Sequence, residues 1–600
     1  MCRIFGHFDT RATLHELRTV AALQRHGGPD AQYLVNGDNW GLGTNRLAIM
    51  DLDGGDQPYV DGQITVVFNG EIYNHDALRH TLTTRGHRFS DRCDGSILPA
   101  LYAEYGTEFA EHLDGMYALA VIDLREEPKL VLATDEVGMK PLYYYWDAAQ
   151  GHLYFSSELP ALLSFPAVPA RPWEAGLDAY LATKTPFGEQ TMFEGVKVLP
   201  PATTATLTRG GGLRLVHRRP APAPQTRTSL EEAGAHLQEL LRTEVGRLTL
   251  ADVPVSAITS GGLDSSLITA LAAEHVPELH SFNIAYRGSW PADERAFARE
   301  VAERHRTRHH QVEIDPAEFP KLLSDVVWHL GQPNADPITL STYALFRQVH
   351  QEGFKVALTG DAADELFSGY GRIRAAMQAG PADDWIPDYV RALAAIPLEE
   401  RLPLYSGEYR HFVTEHGAAE DRLTHHLRSS TDDRLTTVTE FEVAHRLPAY
   451  HLRRVDHLSM ASSVEVRLPF CQPAIVRYAR TLPAALRIEG DRVKKALYAA
   501  ARGLLPTSVL NRPKQPFTLP ITAMLTRGQP LMDYAHDMLA PHRLAARGQL
   551  DPRAVRDLLR SQSTTPRDSH ALAIWSLLIH ELWLEQFHLA PLGARQAVPA

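Results

Sequence analysis

The sequence predicts two domains of different fold class: an α+β front domain built mainly of strands, over 2–200, and an α/β rear domain with a parallel sheet and a mostly helical end, over 229–590. Three observations lead there. At 600 residues the chain is too long for one hydrophobic core. Its first third is a series of short apolar or β-branched runs broken by Gly, Asp and Asn, whereas strands and helices alternate after residue 229. Between the two, HRRPAPAPQTRT with prolines at 220, 222 and 224 predicts an extended, semi-rigid connection over 201–228.

In the front domain, residues 64–68, 117–122, 130–133 and 153–155 read as strands. The rear domain opens on Ser229 with Glu232 three residues on, a capping-box pair. Leu230, Ala233, Leu237, Leu240, Leu241 and Val245 then recur at helical spacing. Residues 253–258 predict a strand that runs through a Gly-rich turn into the helical SLITALAAEH, and 354–358 predict a second strand ending in a loop. Beyond about residue 380 the pattern is mostly helical.

Composition excludes several function classes. A formal net charge of -12 leaves no overall basic footprint, so no nucleic-acid partner is expected. No stretch offers about 18 uninterrupted apolar residues, and MCRIFGHFDT lacks the apolar segment of a signal peptide. With only three cysteines, Cys2, Cys93 and Cys471, a disulfide framework is not expected. The expectation is a reduced, cytoplasmic protein that does not enter a membrane.

Cys2 is notable for its position. If Met1 is removed, Cys2 carries a thiol beside a free α-amine, whose ordinary pKa near 8 lets it exchange a proton with the thiol without a histidine. Alone, a second-position cysteine is more often incidental. Here it is followed, in order, by RHGGPD (25–30), NRLAIMD (45–51), FNGEIYNHDAL (68–78), LDGMYALAVID (113–123), DEVGMKPLYYY (135–145) and FSSEL (155–159). Together these resemble the glutaminase domain of class II amidotransferases, an N-terminal-nucleophile αββα sandwich. The resemblance implies that Cys2 attacks the side-chain amide of glutamine, with Asn69 and the Gly70 N–H as oxyanion hole. It further implies Arg46 on the glutamine α-carboxylate, and Glu71 and Asp94 on its α-ammonium. Arginine suits a carboxylate because its planar fork reaches both oxygens. One departure is Arg3: the family has glycine after the nucleophile, and a bulky side chain there is expected to crowd the pocket or add charge beside the thiol.

In the rear domain SGGLDSS (260–266) follows an apolar strand, and adjacent glycines with serine hydroxyls at a helix start suit an anion. No GxxxxGK[ST] is present, so it is not a Walker A loop. The heptad resembles the pyrophosphate loop of enzymes that transfer AMP to a substrate. LTGDAADELFSGYGR (358–372), VDHLSMASSVEVRLPF (455–470) and RPKQPF (512–517) extend the resemblance to the asparagine synthetase family over about 230–530. It implies ATP at Ser260, Gly261, Gly262, Asp264, Ser265, Ser266, Ile284, Thr359 and Gly360. It implies Mg2+ with pyrophosphate at Asp264 and Asp364, the carboxylates that magnesium commonly uses. It also implies an acid, Asp361, that assists formation and aminolysis of an acyl-adenylate, and a lysine, Lys514, on the phosphates. Lys494 and Lys495 draw notice in a chain poor in lysine.

Combined, the two halves imply a glutamine-dependent synthetase that turns ATP, a carboxylic acid and glutamine into a carboxamide, glutamate, AMP and pyrophosphate. An internal ammonia passage and, by family habit, a homodimer are part of that expectation. L-Aspartate is the default acceptor. Gly331–Gln332, where the family often has an acidic pair, and Cys471–Gln472, in place of Leu–Asp, suggest instead an acid of specialised metabolism. An intramolecular cyclase of the same superfamily is disfavoured by the nucleophilic cysteine, and a silent regulatory homologue by the complete acid set.

Overall fold

The computed structural model describes residues 2–218, 224–288, 293–380, 383–512 and 519–589. Twelve strands make the front domain: β1 Cys2–Phe8, β2 Ala31–Gly37, β3 Trp40–Arg46, β4 Tyr59–Asp61, β5 Ile64–Ile72, β6 Gly115–Asp123, β7 Lys129–Thr134, β8 Tyr143–Asp147, β9 His152–Ser156, β10 Val196–Val198, β11 Thr203–Thr208 and β12 Arg214–His217. They form two antiparallel six-stranded sheets, ordered β10-β8-β9-β1-β3-β2 and β12-β11-β7-β6-β5-β4. Side chains alternate across each sheet. Val67, Ala118, Ala120 and Ile122 therefore meet Ile4, Leu42 and Phe155 between the sheets. The alternate residues Val66, Phe68, Leu119 and Val121 turn outward under helix α3 (Leu98–Tyr105), which follows α2 (His75–Thr84). On the other side, Leu17, Val20 and Ala21 of α1 (Leu14–Leu23) cover Phe5. The layering is the expected αββα.

The connection expected over 201–228 is corrected in its first half. β11 pairs with β7 and β12 with β11, so the second sheet runs to His217. TTATLT alternates Thr with apolar residues, and that pattern is short enough to pass for a turn-rich linker. Pro220 and Pro222 lie outside the described residues.

After α4 (Gly176–Thr183) of the front half, the rear domain starts on α5 (Leu230–Leu248), and Ser229 and Glu232 cap it reciprocally. Strands β13 (Val255–Ile258), β14 (His280–Tyr286), β15 (Arg308–Ile314), β16 (Val356–Leu358) and β17 (Glu465–Arg467) form one parallel sheet, ordered β15-β14-β13-β16-β17. Strand order reverses beside β13, which opens a crevice at the carboxyl ends of β13 and β16. Helix α6 (Leu263–His275) leaves that crevice. Later come α7 (Phe319–Leu330), the π-helical segment Glu442–Leu452, and α8 (Arg453–Met460), which continues from it. One apolar core joins the halves, with Phe193 of the front against Trp583 of the rear at a ring separation of 5.3 Å.

Candidate functional site

The two domains carry one centre each. In the first, Cys2 begins β1 and lies opposite Arg46 at the end of β3. The Cys2 N–H donates to Asn69 Oδ1 at 3.2 Å, which fixes the amide flip of Asn69. Its other end, Nδ2, is buried and makes no hydrogen bond among the described residues. Gln57 donates from Nε2 to Cys2 Sγ at 3.2 Å and is itself clamped by both backbone groups of Phe68. Burial pushes the Cys2 thiol up, with the N-terminal ammonium, Thr44 and Arg46 opposing. Residue 70 must be glycine, because a Cβ there would sit 2.0 Å from the Met116 carbonyl oxygen across the β5–β6 pair.

Around the thiol the expected glutamine-binding residues converge. Arg46 donates to the Asp51 carbonyl at 2.7 Å and lies 3.7 Å from Asp56. Asp94 is buried and accepts from the Ile72 N–H at 2.7 Å. Glu71 is held well above the usual carboxylate range by burial, then by Asp94 and Glu465, while Arg467 pulls the other way from 3.7 Å. Two neighbouring buried carboxylates, with one guanidinium in reach among the described residues, favour a further cation between them.

Arg3 does neither thing expected of it. Strand alternation sends Cys2 to the face between the sheets and Arg3 to the opposite face, away from the thiol pocket. There Arg3 is fully buried and binds Glu158 at 2.7 Å and Asp456 of α8 at 2.6 Å. Gly27 makes room for it, since a Cβ at 27 would lie 2.7 Å from the Arg3 side chain.

The second centre is a cavity of about 980 Å3 at the carboxyl ends of β13 and β16. Ser260, Gly262, Asp264 and Ser265 form one wall, and Ile284, Thr359, Gly360, Asp361 and Asp364 form others. Ser265 Oγ holds the loop shut by accepting from Ser260 N at 3.0 Å and meeting Ser260 Oγ at 2.8 Å. Gly261 (φ +82) and Gly360 let backbone approach backbone: a Cβ on Gly360 would lie 2.6 Å from Ser265 N. Thr359 Oγ1 donates to Asp361 at 2.7 Å.

Two expected nucleotide contacts are not on this wall. Gly261 turns the loop from behind, against Ala298. Ser266 is fully buried, and its N–H is spent on the Gly262 carbonyl, because one further helical step rotates it from the cavity toward the core. Lys514 lies outside the described residues. The cation the structure does bring in is Lys494, whose Nζ lies 2.7 Å from Asp264 and 2.6 Å from Asp364. Burial works against its charge, yet the two carboxylates hold it above its ordinary value. The sequence hint for Lys494 was only that lysine is scarce. Convergence of two hard carboxylates on one cation fits magnesium, which takes one or two carboxylates plus phosphate and water oxygens.

Gly369 permits that convergence, since a Cβ there would fall 1.8 Å from Asp364 Oδ1 and 2.2 Å from Lys494 Cε. Gly369→Ala is expected to cost about 1–3 kcal/mol and to weaken nucleotide binding. Thermal melts with and without Mg-ATP check this, and an unchanged ligand-induced shift would count against the assignment.

The residues that pointed to an unusual acceptor do not line the cavity. Gly331 caps α7, where its carbonyl accepts from Trp583 Nε1, and Gln332 Oε1 accepts from the Met192 N–H. Cys471 and Gln472 are buried behind β17. Gln332 thus serves the contact between the domains, and Gln472 donates from Nε2 to the Leu468 carbonyl within its own turn. The rest of the cavity is walled by Lys184, Asp336, Glu365, Arg372, Arg446, Tyr450, His451 and Arg454, drawn from four distant segments that no local motif links.

A buried thiol beside an orphaned amide donor, joined to a parallel-sheet domain with a glycine-serine anion loop over paired carboxylates, defines a two-centre amidotransferase–ligase. Residues 236–585 match the asparagine synthase family model and residues 1–216 match the glutamine amidotransferase domain model, so the chain belongs to the asparagine synthase family, ATP-dependent carbon–nitrogen ligases. It is 29% identical to "Asparagine synthetase [glutamine-hydrolyzing] 3" of Bacillus subtilis, covering 86% of this chain and 87% of the relative. It is 27% identical to asparagine synthetase 1 of the same organism, covering 97% and 96%. A putative asparagine synthetase of Mycobacterium tuberculosis is 30% identical, covering 94% and 92%. Among the described residues no helix is long and apolar enough to cross a membrane.

Proposed function

We propose that the chain is a glutamine-dependent amide synthetase that adenylates a small carboxylic acid, with L-aspartate as the default acceptor. The observation that carries this reading is the pairing of the Cys2–Asn69 thiol centre with the Asp264–Lys494–Asp364 centre on one continuous core. In the front centre, Cys2 sulfur attacks the amide carbon of glutamine, and the α-amine exposed by loss of Met1 takes the thiol proton. Asn69 Nδ2 and the Gly70 N–H stabilise the oxyanion. Arg46 binds the α-carboxylate, and Glu71 with Asp94 binds the α-ammonium. Collapse of the tetrahedral species releases ammonia, and water later frees glutamate from the thioester.

In the rear centre, an oxygen of the acceptor carboxylate attacks the α-phosphorus of ATP and pyrophosphate leaves. The loop 260–265, Ile284, Thr359 and Gly360 hold the nucleotide. Asp264 and Asp364 would hold magnesium, which when bound would supply positive charge for the phosphates. Lys494, and Lys514 by family resemblance, serve the same phosphates. Ammonia then attacks the acyl carbon, AMP leaves, and Asp361 takes a proton from the incoming nitrogen. An enclosed passage between the centres protects ammonia and the adenylate from water.

The test is product analysis with Mg-ATP, glutamine and a panel of acids that includes L-aspartate. The expected result is AMP, pyrophosphate and carboxamide in equal amounts. Formation of ADP and phosphate, or no nucleotide cleavage with any acid, would overturn the reading.

A further inference from the structure

Ser265 ties the glycine-serine loop 260–265 from within, and a second tie reaches it from behind. Gly261 turns the loop in the left-handed region (φ +82) against the start of the helix Arg295–His305. A Cβ at 261 would lie 2.7 Å from Ala298 N and 2.8 Å from Phe297 Cβ, so the loop rests directly on that helix. Arg512 closes the remaining side. Its Nη1 donates to the Gly261 carbonyl at 3.1 Å, its Nη2 pairs with Glu294, and its guanidinium lies 4.6 Å from the centre of the Phe297 ring. Both charged side chains are nearly buried, Arg512 at 8% exposed and Glu294 at 7%.

The stretch that delivers Arg512 is fastened to the same helix. Arg304 donates to the Gly503 and Leu504 carbonyls at 2.7 and 2.6 Å, and Ser508 Oγ donates to Glu300. Helix, loop and guanidinium thus pack as one unit behind the phosphate wall. Among the described residues that line the cavity, neither Gly261 nor Arg512 appears. A buried ion pair adds little net stability over apolar residues of the same size, because desolvating both charges offsets their attraction. What this pair supplies is direction.

The Gly261–Gly262 peptide is the one most free to rotate in the loop, since neither residue has a Cβ. Across a trans peptide the carbonyl and the following N–H point in opposite directions. With its carbonyl held on Arg512 behind the loop, this peptide turns the Gly262 N–H toward Ser260 Oγ, at 3.2 Å, where Ser260 and Gly262 line the cavity. Gly262 is also the N-cap of α6, which has no side-chain cap, so the amides of this turn suit a phosphate. We propose that Arg512 is a positioning residue: it fixes the Gly261–Gly262 peptide so that the Gly262 N–H serves the pyrophosphate, without itself touching the phosphates. This rests on the synthetase reading above and adds a residue to its phosphate site.

The test is equilibrium binding of Mg-pyrophosphate and of AMP to the full-length protein. AMP lacks the two outer phosphates, so it reports whether the rest of the nucleotide site is intact. Removing Arg512 alone strands a buried carboxylate, so the informative variant combines Arg512→Met with Glu294→Gln. That double variant is expected to bind Mg-pyrophosphate about tenfold or more weakly, the scale of one lost charge-assisted hydrogen bond. Its affinity for AMP should change by less than about twofold. Glu294→Gln alone keeps the guanidinium but loosens its anchor, and should weaken pyrophosphate binding by about two- to fivefold. An Arg512 that bound phosphate directly would gain from losing the competing carboxylate, and Glu294→Gln would then bind pyrophosphate more tightly. Unchanged or tighter binding by Glu294→Gln, equal loss of pyrophosphate and AMP, or wild-type pyrophosphate affinity in the double variant would each overturn the proposal. So would a wild type that binds no Mg-pyrophosphate. Failure to release pyrophosphate from Mg-ATP with any acid would sink the synthetase reading separately, since both affinities are measured without turnover.

Discussion

Replacing Cys2 with alanine is expected to lower glutamine-dependent amide formation by about 10³-fold or more, while synthesis from added ammonium salt continues near the wild-type rate. The reason is local. Gln57 Nε2 donates to the sulfur at 3.2 Å and is tied to Phe68, so the sulfur is held beside Asn69 and the alanine variant removes the group that would attack. Asn69→Ala should cost about 10²–10³-fold in the same assay, the usual loss for one oxyanion donor. It has a sharper signature as well: the Cys2 N–H to Asn69 Oδ1 bond is lost together with Nδ2, so both nucleophile and oxyanion lose their support. The measurement is amide formed per minute with glutamine and with ammonium chloride, side by side. If Cys2→Ala also lost the ammonia-dependent reaction, the thiol centre would be structural. If it kept the glutamine-dependent one, another nucleophile would have to be found.

Both centres were legible in the sequence to the extent that their residues sit in contiguous runs. SGGLDSS, TGDAADE and FNGE each place several groups within a few positions of a strand end, so local geometry alone brings them together. The Ser229–Glu232 cap was readable for the same reason. What was not legible is assembled over distance. Lys494 meets Asp264 across 230 residues, and Lys184 meets a cavity whose other cations lie beyond residue 370. Residue substitutions mislead where backbone position is unknown. Gly331–Gln332 and Cys471–Gln472 were read as acceptor-site changes, yet Gln332 packs against Met192 of the front domain, Gly331 against Trp583, and Gln472 donates to the Leu468 carbonyl inside the rear domain. Arg3 was read as crowding the thiol, although a strand's two-residue period already sends successive side chains to opposite faces.

Arg3→Ala is expected to destabilise the protein by about 3–5 kcal/mol, the loss typical of breaking a buried charge network by removing one partner. The cluster is balanced as it stands. Arg3 and Lys140 face Glu158 and Asp456, with Lys140 2.9 Å from Asp456 and His26 3.0 Å from Glu158. Burial drives the nearby His457 and His329 down to about 4, so neither is a cation at neutral pH. Without Arg3, Asp456 keeps Lys140 and Glu158 keeps His26, and the guanidinium that bridged the two acids is gone. Acidification gives a second readout. Burial alone would raise Asp456, but Arg3 and Lys140 outweigh it and hold its carboxyl at about 2, below the ordinary 3.8. A depressed carboxylate stabilises the fold above its ordinary value and loses that contribution as pH falls through the folded one. For Asp456 this amounts to about 2 kcal/mol, lost between roughly pH 5 and 2. Arg3→Ala lets Asp456 and Glu158 rise, so the stability gap between variant and wild type should narrow across that window. Arg3→Lys, with charge but no fork to reach both acids, should fall between the two. Denaturation midpoints measured from pH 7 down to the acid limit check each point. A gap that is small at neutral pH, or that widens on acidification, would show that the Arg3 network does not hold the front strand to α8.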